Sequence, residues 1–123
     1  DIKAAREYLG ADKIIGVSAH NVKEALEAEN GGADYLGSGA AFVTSTKTDA
    51  GAIDHKVLSD VAHSVKIPVV AIGGINKDNI SQLEGLGLDG VAVVSAIFAA
   101  DDISSAVIDL KAKAEKVAES SVK

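Results

Sequence analysis

The chain has 123 residues, 47% of them hydrophobic and 24% charged, a composition that folds around one core and is neither disordered nor fibrous. Its 12 Lys and Arg against 18 Asp and Glu give a formal charge of -6, the wrong sign for a groove that neutralises a nucleic-acid backbone, while a small anion held at one local site stays compatible. With no cysteine, disulfides, thiolate catalysis and thiolate metal sites are excluded, and a cytoplasmic location is expected.

Residues 2–9 read as a helix stopped by Gly10. The N-terminus lacks the basic start and apolar core of a signal peptide, and it lacks an initiator methionine, so a processed, trimmed or fragmentary chain is expected. Four short Val- and Ile-rich runs follow, at residues 13–17, 34–37, 68–72 and 90–94. Their apolar content is continuous, which predicts strands of a parallel sheet covered on both faces.

Between them lie helical segments with readable starts. Asn21 and Glu24 have capping-box spacing before residues 22–29, and Gly31 and Gly32 supply a stop. Asp54 caps a predicted helix over 55–65, and Asn76 one over 77–86. Asp101 or Asp102 opens the last helix, in which Ile103, Val107, Leu110, Ala114 and Val117 recur on one face. The longest apolar stretches, 67–75 and 90–100, fall well short of the roughly 20 residues that span a membrane as a helix.

The order is therefore one helix and four βα units in a single domain over 1–123. Ile14, Tyr35, Val69 and Val91 mark the strands at spacings of 21, 34 and 22 positions. The excess in the middle falls in residues 38–53, and a loop of that length in a compact α/β domain is usually functional or disordered. Eight βα units in about 250 residues close a (β/α)8 TIM barrel, so four units amount to half of one. The alternative is an open, doubly wound, flavodoxin-like sheet.

In either architecture ligands bind beyond the C-terminal ends of the strands. Gly73 and Gly74 let backbone approach a ligand, and a helix starting at Asn76 would aim its N–H groups at the same space. Val94, Ser95 and Ala96 turn out of the last strand beside them, so the two turns predict a phosphate cup. In the long loop, Thr44, Ser45, Thr46 and Lys47 place three hydroxyls and one ammonium in four residues, a set able to hold phosphate or carboxylate oxygens, against the alternative of a solvated polar turn. Ser18 ends the first strand and is read as a hydrogen-bond donor, because no nucleophile elbow surrounds it. His20, His55 and His63 sit at unrelated positions, and Asp101 and Asp102 suit a helix N-terminus better than a metal.

Several segments, taken in order, resemble thiamine phosphate synthase: 12–20 (DKIIGVSAH), 32–39 (GADYLGSG), 44–47 (TSTK), 67–75 (IPVVAIGGI) and 89–97 (DGVAVVSAI). The resemblance implies the C-terminal half of that family's TIM barrel, with the N-terminal half absent. It further implies an Mg2+-dependent transferase of thiamine biosynthesis that joins a pyrimidine diphosphate to a thiazole phosphate and releases diphosphate, mainly through electrostatic stabilisation of the leaving group. Ser18 and Lys47 would then meet the pyrimidine diphosphate, with Lys47 catalytic. Thr44, Ser45 and Thr46 would meet the thiazole phosphate, whose phosphate Gly74, Val94 and Ser95 would hold. Two differences stand out: Ala40 and Val43 replace prolines of the family's loop, and the family's Mg2+-binding aspartates belong to the absent half. The competing expectation is a non-catalytic phosphate-binding half-barrel, engineered or self-associating. Neither reading calls for a nucleic acid or a membrane. The expected partners are small phosphorylated substrates together with a second copy or a missing half-barrel.

Overall fold

The computed structural model describes residues 1–42, 54–93 and 95–120. Helix α1 (Ile2–Leu9) precedes strand β1 (Gly16–Ala19), α2 (Val22–Gly31), β2 (Tyr35–Ser38), α3 (His55–Ser64) and β3 (Val69–Ile72). A 3-10 helix (Ile80–Leu83), β4 (Gly90–Ala92), the short α4 (Ser95–Phe98) and α5 (Ile103–Glu119) complete the order. All strand pairs are parallel and the sheet order is β1-β2-β3-β4. A doubly wound sheet requires that order to reverse at a switch point. The order here is sequential, which departs from the flavodoxin-like alternative.

The predicted caps form. Asn21 Oδ1 accepts from Glu24 N–H at 2.9 Å, and Asp54 Oδ1 accepts from Lys56 N–H at 2.8 Å. Asp102 accepts from Ser105 N–H at 3.1 Å, which selects Asp102 over Asp101 as the start of α5.

Two predicted elements change character. Residues 77–86 do not make an α-helix. Asn76 Oδ1 takes the N–H groups of Asp78 and Asn79, and Asn79 Oδ1 takes Asn76 N–H in return, so the predicted cap forms without an α-helix behind it. A single 3-10 turn follows, and its three-residue repeat places Ile80 and Leu83 together in the core. The first strand also begins later than residue 13. Ile15 N–H donates to Asp34 Oδ2 at 2.7 Å and the Arg6 guanidinium binds Lys13 O, so side chains satisfy backbone groups there in place of a ladder.

The sheet is buried on one face, which corrects the expectation of cover on both. Ala19, Leu36, Ser38, Val69 and Ala71 point into a cluster with Ala25, Ala28, Leu58, Val61 and Leu110. Ser38 is the buried polar residue of this layer, and its hydroxyl donates to Ala19 O at 2.9 Å. On the opposite face Ser18, Gly37, Val70 and Gly90 stand in one row across four strands. Ser18 is exposed, and the other three are half-buried. Tyr35, 40% exposed, extends over Gly16 one row below. The face predicted for α5 is buried only at its C-terminal end: Leu110 and Val117 enter the core, whereas Ile103 and Val107 are 48% and 41% exposed. No helix among the described residues is long and apolar enough to cross a membrane.

Beneath the sheet, Arg6 ties α1 to the strand bases. Its guanidinium donates to Gly32 O at 2.8 Å and to Asp34 Oδ2 at 2.7 Å. The hydrogen bond from Arg6, and behind it that from Ile15 N–H, holds the Asp34 carboxyl below the usual aspartate range. A carboxyl lowered in this way stabilises the fold above its unfolded value of about 3.9, and that contribution disappears as pH falls through the still lower folded value. Arg6→Ala is therefore expected to lower the urea midpoint at neutral pH. The gap between the two chains should narrow in acid as Asp34 takes its proton, and urea melts across a pH series measure it.

Candidate functional site

Beyond the C-terminal ends of the strands, the site is built from the segment after β2 and the turn after β3. Leaving β2, the chain passes through a cis Gly39–Ala40 peptide and lies across the end of β3. Ala41 N–H donates to Ile72 O at 2.8 Å, and Phe42 N–H to Gly73 O at 3.1 Å. The turn beneath has left-handed backbone at both glycines, φ 96° at Gly73 and 66° at Gly74. A Cβ on Gly73 would come within 2.7 Å of Ala40 Cβ, and one on Gly74 within 2.6 Å of Phe42 O. The glycines are thus required twice, once by φ and once by the loop backbone lying against them.

This turn presents donors. Gly74 O is taken by the Asn79 side-chain amide at 2.9 Å, while the Gly74 and Ile75 N–H groups meet no acceptor among the described residues. Two successive amides at a left-handed turn make a concave surface suited to an anion. The helix N-terminus expected at Asn76 does not add to it, because its donors are bound within the Asn76 and Asn79 exchange. On the far side of this turn, residues 76–78 and the α4–α5 connection line a cavity of about 640 Å³. Its lining carries Asp78, Asp101, Asp102 and Asp109 beside Lys77, a net acidic set that does not suit an anion.

The other predicted residues fall in three groups. Ser18 is exposed on β1, with β2 standing between it and β3, so the sheet places it about 10 Å across from Val70, three positions short of Gly73, by strand spacing. Ser95 opens α4 directly after β4, the neighbour of β3. Thr44, Ser45, Thr46, Lys47 and Val94 lie outside the described residues. His20, two residues beyond Ser18, turns away to cap α2. Its Nδ1–H and its backbone N–H both donate to Glu24 Oε1, at 2.9 and 2.8 Å, and these bonds hold the Glu24 carboxyl below its ordinary range.

His55 is the participant that sequence reasoning missed. Its Nε2 lies 3.1 Å from Ala41 O, and since a carbonyl only accepts, Nε2 carries the proton. Its ring meets Phe42 edge to face, with centroids 5.0 Å apart at 88°. The one available signal was its position as the first residue after a predicted cap, which brings the end of the long loop back beside its beginning.

No group of three or more His, Asp or Glu side chains that could hold a metal ion occurs among the described residues.

The thiamine monophosphate synthase family model matches residues 1–97. A thiamine-phosphate synthase of Clostridium beijerinckii is 52% identical over 113 residues, covering 90% of this chain and 54% of that protein. The enzyme of the same name from Pyrococcus furiosus is 49% identical over 116 residues, covering 94% and 56%. The solved structure of a Pyrococcus furiosus thiamine phosphate pyrophosphorylase superposes with a TM-score of 0.84 at 47% identity, over 95% of this chain and 55% of that one. The chain thus spans about half the length of these relatives.

Replacing Gly74 by Ala is expected to destabilise the fold by about 1–3 kcal/mol, the usual range for a residue forced into sparsely populated backbone space. The added contact with Phe42 O works in the same direction. Thermal and urea melts of Gly74→Ala beside Gly85→Ala separate the two contributions, because Gly85 also has positive φ (81°) but has open space around its Cβ position.

Proposed function

Because the chain belongs to the thiamine monophosphate synthase family, we propose that it supplies the phosphate-binding half of an enzyme that joins a pyrimidine diphosphate to a thiazole phosphate. The observation that carries this reading is the Gly73–Gly74 turn, where the Gly74 and Ile75 amides have no acceptor among the described residues. In the proposal these amides, with those of Val94 and Ser95, hold the phosphate of the thiazole. Thr44, Ser45 and Thr46 donate to the same ligand, and Ser18 and Lys47 meet the diphosphate of the pyrimidine. As the diphosphate departs, negative charge concentrates on its oxygens, and the Lys47 ammonium stabilises that charge more strongly in the transition state than in the ground state. Mg2+ enters only as an ion held by residues outside this half, and no step here is routed through it. A cytoplasmic location, suited to a chain without cysteine, belongs to the same proposal.

The proposed architecture is half of a (β/α)8 barrel, and the open face of the sheet supports it. In the row Ser18, Gly37, Val70, Gly90, strands β1 and β3 contribute side chains while β2 and β4 contribute glycine. Alternate strands fill a layer in this way inside a TIM barrel. The half-buried Val70 and the exposed Ser18 then find their neighbours in the other half.

The test of function uses a completed barrel, in which this chain is joined to the N-terminal half of the Clostridium beijerinckii relative. Lys47→Ala is expected to lower kcat by at least about tenfold while leaving KM for thiazole phosphate nearly unchanged, the pattern of an interaction made in the transition state. A raised KM with kcat intact overturns the role given to Lys47.

Alone, the chain is expected to make no thiamine phosphate and to self-associate, because β1 and β4 each have one edge without a strand neighbour among the described residues. Two copies could satisfy both edges at once by a two-fold arrangement. A product assay and sedimentation over a concentration series check this. Product from the isolated chain, or a monomer at every concentration, contradicts it.

A further inference from the structure

The anion-binding turn does not hold itself in place. Gly73 and Gly74 have the widest conformational freedom of any residue type; Asn79 holds Gly74 O from one side, and the contacts on the other side come from residues 40–42. Ala41 and Phe42 reach the turn through their N–H groups, at 2.8 Å to Ile72 O and 3.1 Å to Gly73 O. The other side of the Ala41 peptide, its carbonyl, is held by His55 at 3.1 Å. His55 in turn is the first residue of α3, a helix fixed by the fully buried Leu58, Val61 and Ala62 and capped by Asp54. A continuous path therefore leads from the core through His55 and Ala41 to the glycine turn, two of its links being hydrogen bonds.

We propose that His55 is a positioning residue for the anion cup: its Nε2–H and its edge-to-face contact with Phe42 hold residues 40–42 against Gly73 and Gly74, and so fix the direction of the Gly74 and Ile75 amides. Nothing in the family resemblance gives this position a role. The inference rests on the phosphate-binding reading of the turn, and it adds what keeps that turn preorganised. Preorganised donors bind an anion more tightly because the ordering cost is met in folding and not at the moment of binding.

His55 acts through a donor as well as through shape, and substitution can separate the two. His55→Phe keeps a ring beside Phe42 and removes the donor. His55→Gln removes the ring and places an amide N–H near the position of Nε2. His55→Leu is a second donor-free variant in case the first does not fold.

The experiment uses the whole chain, with inorganic phosphate as the probe and amide NMR as the readout. Two quantities are followed: the exchange rates of the Ala41 and Phe42 amides without phosphate, and the phosphate dissociation constant read from the Gly74 amide shift. His55→Phe and His55→Leu are expected to speed exchange and to weaken phosphate binding by roughly threefold to tenfold, the usual worth of one hydrogen bond. His55→Gln should restore most of both. Exchange and affinity unchanged in the donor-free variants overturn the inference alone, as does a His55→Gln chain no better than His55→Phe. If the unsubstituted chain shows no phosphate shift at Gly74, the cup itself is overturned and the role of His55 in it with it.

Discussion

The constraint on which this structure depends is that its sheet has a single buried face. Helices α2, α3 and α5 draw Ala19, Leu36, Val69 and Ala71 into one cluster, and small residues such as Ala25, Ala28 and Ala62 let the layers approach closely. Burying apolar surface at roughly 25 cal/mol per Å² is the main stabilising term, so the strands orient by which of their alternate residues can enter that cluster. The other face carries Ser18, Gly37, Val70 and Gly90 in one row, half-buried or exposed and without a helix over it among the described residues. A sheet with one apolar face and one row of small side chains is suited to curving around an interior.

The polar groups below the sheet follow the same logic. Asp34 and Asp89 stand immediately before β2 and β4 and serve the neighbouring strand in the same way. Asp34 accepts from Ile15 N–H, and Asp89 from Val69 N–H at 2.8 Å. Glu29, at the end of α2, accepts from Lys66 N–H at 2.6 Å. Carboxylates thus bind backbone donors at the strand entrances, where the ladder has not yet begun, and a buried N–H without a partner would be costly. The strand exits are organised differently. There the backbone of one loop satisfies the backbone of the next, through Ile72 O and Gly73 O. This asymmetry between the two ends matches the proposal, since parallel α/β folds bind ligands at the strand exits.

The proposed chemistry asks little covalent work of the protein. Bond breaking and bond making lie between the substrates, and the protein's part is to place two phosphorylated groups and to meet charge as it develops. A backbone turn serves the first purpose well, because its amides have no rotamers to lose, and an ammonium on a longer loop serves the second. The division between a fixed cup and a lysine-bearing loop is consistent with the way residues 40–42, the root of that loop, are anchored on the turn itself.

The sequence alone determined the elements whose signals are local. The starts of α2, α3 and α5 were legible because the side chains of Asn21, Asp54 and Asp102 cap backbone N–H groups two or three residues away. The strands were legible from their apolar runs, and the Gly73–Gly74 pair marked a turn at the right place. What the sequence could not fix were features set by contacts between distant segments. The run at 77–86 has a capped start at Asn76, and only the core decides that one 3-10 turn suffices to bury Ile80 and Leu83. Apolar continuity in the strands could not reveal that one face is open, because Val70 and Ile72 look alike whether they meet a helix or an interior. Beyond its place after the Asp54 cap, His55 carried no signal of its role, since its partner Ala41 is fourteen positions away and offers a carbonyl that every residue possesses. Local hydrogen bonding is written in residue type and spacing, whereas a backbone acceptor becomes specific only when the tertiary fold brings one donor to it.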